Sequence, residues 1–468
     1  MATLEHLERL GQGVEVWNQW RVQHPEIQPD LRGADLCEMN LKHANLQGAR
    51  LEKASLRRVR LREADLSGVH LQEAELREVN LQWVNLSKAN LSKAHLQWVN
   101  LERTNLGGAN LQEANLEGVS LQSASLQGAD LRGANLRGVN LQEADLRRVN
   151  LQEANLNRSK LRKADLREAN LERTDLREAT LKQANLEKAC LYETNLEGAN
   201  LYEANLHGAR LNKTNLHNAY LEKVDLSGTD LLETSLREAN LQGIILSGVK
   251  LQGVRLEGMN LERAKLQGAN LEKAELSKAN LQRARLDRVN LREARLHETD
   301  LRGASLQWAD LRGARMSKTQ LGMASLTGAN LSGFDLSGAD LRGKHLKWAK
   351  LNGAQLSKAD LRRANLGWAD LSGNLLRGID LQGVSLYGIN LEGANLEGAN
   401  LAEADLRTAN LREANLRGAD LRKANLEGVC AEGTNFQEAD MRGISRLSMM
   451  QLALQPGVML ADVLRDHS

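Results

Sequence analysis

Aromatic side chains are scarce in this chain: they make up 3% of 468 residues, with only two phenylalanines. Leucine and alanine must therefore build whatever core there is. Cysteine is as sparse. Cys37, Cys190 and Cys430 form an odd, widely spaced set, which excludes a disulfide framework and suits a reducing compartment. No stretch approaches the ~20 apolar residues of a membrane span. The N-terminus carries Glu5 and Glu8 and no apolar run, so no signal peptide is expected and the location expected is cytoplasmic. Charge of one sign is missing too. The 62 basic and 60 acidic residues nearly cancel, which favours neither nucleic-acid binding nor its imitation by charge.

What is present is a repeat. From Leu31 to Met441 every fifth residue is a repeat centre, and 79 of the 83 centres are leucine. The exceptions are Met316, Ala431, Phe436 and Met441. Two residues before each centre stands Ala, Val or Thr as a rule, and just before it most often Asn or Asp. A period of five fits neither standard element. On an α-helix it scatters leucine around the cylinder, and on a strand it alternates leucine between faces. Every leucine stays inside only if the chain turns once per repeat, and Asn or Asp before the leucine suits such turns. The product is a solenoid.

Charges give the number of repeats per coil. Two residues after the centre, side chains 20 positions apart form 18 opposite-sign pairs and one like-sign pair, Arg263 with Arg283. Separations of 5 and 15 show no preference. One ladder runs Lys53, Glu73, Lys93, Glu113; another runs Glu153, Arg173, Glu193, Lys213, Glu233. Opposite charges facing each other on adjacent strands contribute ~0.2–1 kcal/mol, and like charges cost as much. Residues 20 apart therefore stack, four repeats make a coil, and the cross-section is a square. About 20 coils are expected over residues 31–443.

The run resembles the pentapeptide-repeat proteins of bacteria, whose pattern is A(D/N)LXX, as in "ADLRGANLRGVNLQEADL" at 129–146. The resemblance implies an all-β solenoid, a right-handed quadrilateral parallel β-helix, with the central Leu and the small residue two before it pointing inward. Handedness comes from the resemblance alone.

Both ends lose the period. Residues 1–30 are expected to form an N-terminal capping segment, with Leu4, Leu7, Leu10, Val14 and Trp17 at helical spacing and Pro25 and Pro29 after them. Residues 444–468 are expected to form a C-terminal cap of two short helices split near Pro456 and Gly457. Caps would cover the bare strand edges of a β-helix. The alternative reading of the C-terminal helices, behind capping, is a homodimer interface, and the sequence leaves monomer and dimer open.

No site for chemistry stands out. No two histidines are 20 residues apart, and His207 and His217 fall on opposite sides, so no metal centre is expected. Nothing forms a nucleophile–base set, and no cofactor motif is present. The expectation is a non-catalytic surface that binds or spaces another protein, with no nucleic-acid or membrane partner. The rival class is the DNA-mimicking, gyrase-binding member of the family, which confers antibiotic resistance; it needs an acidic side, and none of the four sides has one. A candidate partner-binding patch lies between residues 303 and 398, where the position two after the centre turns mostly to glycine. Trp308, Trp348 and Trp368 fall there on one side, with Tyr387 adjacent and Gly328 and Gly388 in the same column. Outward tryptophan suits partner anchoring; the alternative is that the indoles only shield glycine backbone. Phe334, Lys344 and Asn374 break the inward small-residue rule in the same segment. Local bulging is expected at these coils, with Lys344 reaching solvent.

Overall fold

The computed structural model describes residues 2–229, 231 and 233–460. Contacts divide the chain into two compact units, Met1–Ile245 and Leu246–Ser468. Each is built from the same five-residue turn.

The turn follows from two local bonds and one left-handed residue. The centre's carbonyl accepts from the N–H three residues on, as in Ala74 to Leu71 (3.0 Å). The third residue of that turn is left-handed even when it is not glycine: Glu73 has φ 55 and Lys93 φ 58. A positive φ there is the signature of a type II turn. The Asn or Asp before the centre closes the other side, its Oδ1 accepting the N–H two residues on, as in Asp35 with Cys37 (3.1 Å) and Asn45 with Gln47 (3.2 Å). This Asx turn is why the position prefers those two residues.

Coils are joined by parallel bridges between residues 20 apart, one per repeat along most of each unit. In the first unit they run from Asp30↔Arg50 to Asp225↔Ile245, and in the second from Lys250↔Asn270 to Asp420↔Asp440. Four repeats per coil make each unit a square-sided β-helix. Nearly every centre and every small residue two before it is buried. At roughly 25 cal/mol per Å² of apolar surface, this bore is the main stabilising contribution. Asparagines add ladders along the coils: Asn85 Nδ2 donates to Asp65 Oδ1 at 3.1 Å, and Asn105 Nδ2 to Asn85 Oδ1 at 3.3 Å.

Two helices, α1 (Leu4–Gly11) and α2 (Val14–Gln23), precede the first unit's coils. Leu10 and Trp17 are buried, whereas Leu4 is 70% exposed. The side chains of α2 meet the open backbone of the first coil. Trp17 Nε1 donates to the Asn45 carbonyl (2.8 Å) and Arg21 to the Gln47 carbonyl (2.8 Å). The Asn18 amide donates to the His43 carbonyl and accepts from the Asn45 N–H, as a strand would.

At the other end α4 (Arg446–Ala453) buries Met449 and Leu452. The second C-terminal helix does not begin where it was expected: Met459 is extended and bridges Asn435 in parallel. Pro456 and Gly457 turn the chain back onto the last coil, where the Gly433 N–H donates to the Pro456 carbonyl (2.9 Å). Val463 and Leu464 lie outside the described residues.

The second unit corrects the expectation about bulges. The coil at 342–346 keeps its turn and its ladder to the coil above, with the Lys344 N–H on the Leu341 carbonyl (3.1 Å) and the Lys344 carbonyl taking the Asn365 N–H (2.8 Å), although the bridge from 325 to 345 below it is absent. Lys344 is only half-buried, so its stem lies along the wall and its ammonium reaches water. Phe334 is accommodated without a bulge and stays 9% exposed. The distortion lies instead at Met316, where the centre is not leucine. There α3 (Lys318–Leu321) replaces a turn, closed by a capping box between Ser317 and Gln320. Gln320 turns inward and donates to the carbonyls of Leu296 and Thr299 (both 2.7 Å).

Asn374 is the breach that opens the wall. It is 2% exposed. Its Nδ2 donates to the Leu351 carbonyl (2.9 Å), and its Oδ1 accepts the Gly353 N–H (2.6 Å). Elsewhere such an N–H donates to the coil above, as Gly373 does to the Glu392 carbonyl. Beside it the bridges that would join 355 to 375 and 360 to 380 are absent. A cavity of about 650 Å³ opens there, lined by Leu356, Lys358, Arg362, Leu375 and Arg377 among others.

Candidate functional site: an aromatic column on the second unit

The 20-residue rule places Trp308, Gly328, Trp348, Trp368 and Gly388 in one column, and the backbone confirms it. The N–H groups of Trp308, Gly328, Trp348, Trp368 and Gly388 donate in turn to the carbonyls of Thr327, Lys347, Gly367, Tyr387 and Arg407, each at 2.8–3.0 Å. All five column residues hold the left-handed conformation. That conformation throws the side chain outward and along the column.

The indoles lean on the next coil. A Cβ at Gly328 would lie 2.4 Å from the Trp308 ring, and one at Gly388 2.6 Å from the Trp368 ring. Only glycine leaves room for the rings to lie there. Because Gly328 gives nothing to keep them apart, Trp308 and Trp348 stack two coils apart, with centroids at 5.9 Å and planes at 26°. Trp368 meets Tyr387 edge-on, at 5.5 Å and 81°. The sequence therefore placed Trp308, Trp348, Trp368 and Tyr387 together on one side, and the rings do shield glycine backbone. They are not used up by that: Trp308, Trp348, Trp368 and Tyr387 remain 49%, 42%, 46% and 36% exposed. Cations flank them, Lys347 Nζ at 4.1 Å from the Trp348 ring centroid and Arg407 at 5.4 Å from that of Tyr387.

The same ring-on-glycine contact occurs in the first unit, where Trp98 lies over Gly118 with 2.6 Å left for a Cβ. Trp83 instead meets the Arg103 guanidinium at 4.8 Å. Neither is part of an aromatic cluster.

Elsewhere the surface is neutralised locally. The ladder residues pair as expected: Lys53 with Glu73 (3.5 Å), Lys93 with Glu113 (3.6 Å), and Arg173 with both Glu153 (3.8 Å) and Glu193 (2.9 Å). A second set of pairs lies inside single repeats, between an Asp before the centre and an Arg after it. Asp130 with Arg132, Asp145 with Arg147 and Asp340 with Arg342 are examples, at 2.6–2.7 Å. Counting only the position two after the centre could not find them; the tripeptide Asp-Leu-Arg is their signal. The guanidinium and the Asx-turn N–H hold the Asp340 carboxyl at about 2, below the ordinary carboxylate range. Among the described residues no group of His, Cys, Asp and Glu converges as a metal site would require, and no helix is long and apolar enough to cross a membrane.

Comparison with known proteins agrees with this architecture. The family profile described as pentapeptide repeats (8 copies) matches residues 27–58, 345–373 and overlapping runs over 114–343 and 375–443; a second, the pentapeptide repeat region, matches 54–131. The matches step over Lys344 and Asn374, two of the breaches of the inward rule. Among solved structures the chain is similar to HetL, a pentapeptide repeat protein involved in heterocyst differentiation regulation in Nostoc sp. strain PCC 7120. The identity is 35% over 48% of this chain and 94% of that one, with a TM-score of 0.24. It is similar also to QnrB1, a plasmid-mediated fluoroquinolone resistance protein, at 14% identity over 44% and 92%, TM-score 0.23. A pentapeptide repeat protein of the Arabidopsis thaliana thylakoid lumen aligns at 21% identity over 24% and 65%, TM-score 0.12. No curated protein matches the chain. With one turn per five residues, four turns per coil and profile matches over most of its length, the chain belongs to the pentapeptide repeat family, whose members fold as right-handed quadrilateral β-helices.

Proposed function

We propose that this protein works without catalysis, as a cytoplasmic binding scaffold that holds another protein against the aromatic column of its second unit. The observation that carries the reading is the cluster of four exposed rings, Trp308, Trp348, Trp368 and Tyr387, on a surface otherwise lined by paired charges. Paired charges leave little long-range field to steer a partner. Rigid aromatic area is what remains to anchor one, and tryptophan and tyrosine dominate such anchors. The same pairing speaks against DNA mimicry, which needs unpaired acid. Inhibition of gyrase supercoiling by the purified protein would reverse that ranking.

The terminal segments are read as caps. The α2 side chains take up the first coil's open backbone groups, and the Met459 strand covers the last coil. The face that α4 leaves exposed, Leu447, Met450 and Leu454, is where a second copy of the chain would dock. Sedimentation of Leu447→Glu beside the wild type decides that point. The three free thiols fit a reducing compartment.

The test of the column is affinity capture with the wild type and with a Trp308→Ala/Trp348→Ala/Trp368→Ala variant, with contacts mapped by hydrogen exchange. Partners that disappear with the variant, and that protect residues 303–388 in the wild type, support the reading. An identical partner set retires it.

A further inference from the structure

The gap in the wall beside Asn374 leaves backbone groups unused on both of its lips. On the lower lip the N–H groups of Leu356, Lys358 and Leu361 meet no carbonyl of the coil above. On the upper lip the carbonyls that would take them, those of Leu375, Arg377 and Asp380, accept nothing among the described residues. The N–H groups of Leu375 and Asp380 and the Ala359 carbonyl are idle too. Outside the gap the ladder resumes, with the Leu351 N–H on the Asp370 carbonyl (2.8 Å) and the Leu366 N–H on the Ser385 carbonyl (3.0 Å). Asn374 acts as the wedge, since its Oδ1 takes the Gly353 N–H at 2.6 Å. Unpaired strand edges are templates for another chain, and here two of them face each other.

The idle groups select the ligand. Donors line one lip and acceptors the other, so an anion would satisfy the lower lip and be repelled by the carbonyls of the upper. An extended peptide carries donors and acceptors on both edges, at the spacing of the ladder it would join. The space is of the right size. A strand takes ~3.3 Å per residue along the chain, ~4.8 Å to its neighbour and ~10 Å through the sheet, or roughly 160 Å³ per residue. The cavity of about 650 Å³ therefore holds about four residues. Charge adds a preference. Among the cations lining the cavity, Arg362 is paired with Asp360 (2.5 Å) and Arg377 with Glu397 (2.9 Å). Lys358 is in no ion pair among the described residues, because glycine stands one coil away on either side, at Gly338 and Gly378. Leu375 is 75% exposed where the repeat usually carries Asn or Asp, and offers such a segment apolar cover. We propose that the gap takes an extended segment of a partner protein as an inserted strand, about four residues long, with an acidic side chain facing Lys358. The site lies on sides of the coil other than the one that bears the aromatic column, and does not depend on it.

The experiment is titration of the full-length protein into a fluorescein-labelled peptide, Thr-Val-Glu-Val-Thr, read by anisotropy. Beside it run the same peptide N-methylated at both valines, which removes backbone donors, and a version with lysine in place of glutamate. The expected result is saturable binding of the glutamate peptide, about tenfold or more tighter than either control. Asn374→Thr, which closes the gap, weakens that binding by about tenfold or more without lowering the denaturation midpoint. Lys358→Glu, an exposed change, inverts the order of the glutamate and lysine peptides. With the peptide bound, amide exchange slows by about tenfold or more at Leu356, Lys358 and Leu361. It is unchanged at Leu351 and Leu366, which are already paired. No binding of the glutamate peptide, equal binding of the N-methylated one, binding that survives Asn374→Thr, an order unmoved by Lys358→Glu, or protection confined to other residues each overturns the proposal. Should Asn374→Thr fail to fold, the Lys358→Glu inversion and the exchange pattern decide it.

Discussion

The Trp308 ring occupies the space that a side chain at Gly328 would fill, with 2.4 Å from ring carbon to the position of a Cβ. Gly338 has nearly the same backbone, φ 67 against 69, with nothing within 4 Å. The two sites separate backbone strain from ring displacement. Alanine at either must take a left-handed conformation, at a cost of ~1–2 kcal/mol. Gly328→Ala must also evict the indole. It is expected to lower the denaturation midpoint further than Gly338→Ala, and to red-shift tryptophan emission, which Gly338→Ala leaves alone. Equal effects of the two variants would mean that the indole does not need the glycine.

Asn374 holds two coils apart by taking a bond that belongs to the wall. Inward threonines on other coils make the first of its contacts and not the second: Thr194 Oγ1 donates to the Leu171 carbonyl and Thr214 Oγ1 to the Leu191 carbonyl, each 23 residues back. The coils of those threonines are bridged to the ones below, as at Asp175↔Asn195 and Thr180↔Asn200 and at Asn195↔Asn215 and Asn200↔Tyr220. Asn374→Thr should therefore keep the bond to the Leu351 carbonyl, return the Gly353 N–H to the coil above and close the cavity. Amide exchange at Leu356, Lys358 and Leu361 is expected to slow about tenfold or more, because each regains a carbonyl partner. Unchanged exchange would show that the gap has another cause.

These two sites mark the limit of what the sequence discloses. The period, the four-sided coil and the common side of Trp308, Trp348 and Trp368 follow from a pattern repeated many times, so errors at single residues average out. Irregular coils have no such redundancy. Lys344 and Asn374 break the same rule, yet a long aliphatic stem lets Lys344 reach water while its coil keeps the ladder to the next, whereas a short amide must find backbone partners inside. Which partners it finds depends on the coil beneath, and one chain position does not encode that. The α3 turn was legible in principle: Ser317 and Gln320 form a capping box beside the non-leucine centre Met316. The ring-on-glycine contact was legible too, as tryptophan followed 20 residues later by glycine, at Trp98 and Gly118 as well as at Trp308 and Gly328.

Acid should loosen the coils through the carboxylates before the centres. Hydrogen bonds from Arg32 hold Asp30 at about 2, those from Ser337 hold Asp335 at about 2, and those from Arg342 hold Asp340 at about 2. Unfolded aspartate titrates near ~3.9. A depressed folded value means stability that is fully present above ~3.9 and is lost as pH falls toward about 2, since the unfolded chain takes up protons first. The urea midpoint is expected to be level from neutral pH down to about 5 and to fall steeply between about 4 and 2. Asp340→Asn should flatten that fall by removing one such proton. A midpoint that falls just as steeply in the variant would show that Asp340 has the same affinity for protons in both states.

Ser159 gives the sharpest test of how the bore tolerates polar groups. It holds the same place in its repeat as Thr174 and Thr194 do, on another side of the coil, and is 1% exposed, yet among the described residues its hydroxyl has no hydrogen-bond partner. Thr174 Oγ1 reaches the Leu151 carbonyl at 2.8 Å and Thr194 Oγ1 the Leu171 carbonyl at 2.6 Å. The γ-methyl of threonine, a second heavy atom on Cβ, restricts the rotamer that aims its oxygen, and serine lacks it. A buried hydroxyl without a partner costs ~1–3 kcal/mol, and a satisfied one contributes ~0.5–1.5 kcal/mol. Ser159→Ala is therefore expected to raise the denaturation midpoint and Thr194→Ala to lower it, a difference in sign that needs no absolute scale. Ser159→Thr should also stabilise, by filling the bore and making the bond to the carbonyl 23 residues back. If Ser159→Ala lowers stability as far as Thr194→Ala does, the serine is bonded in solution and the contrast between the two residues fails.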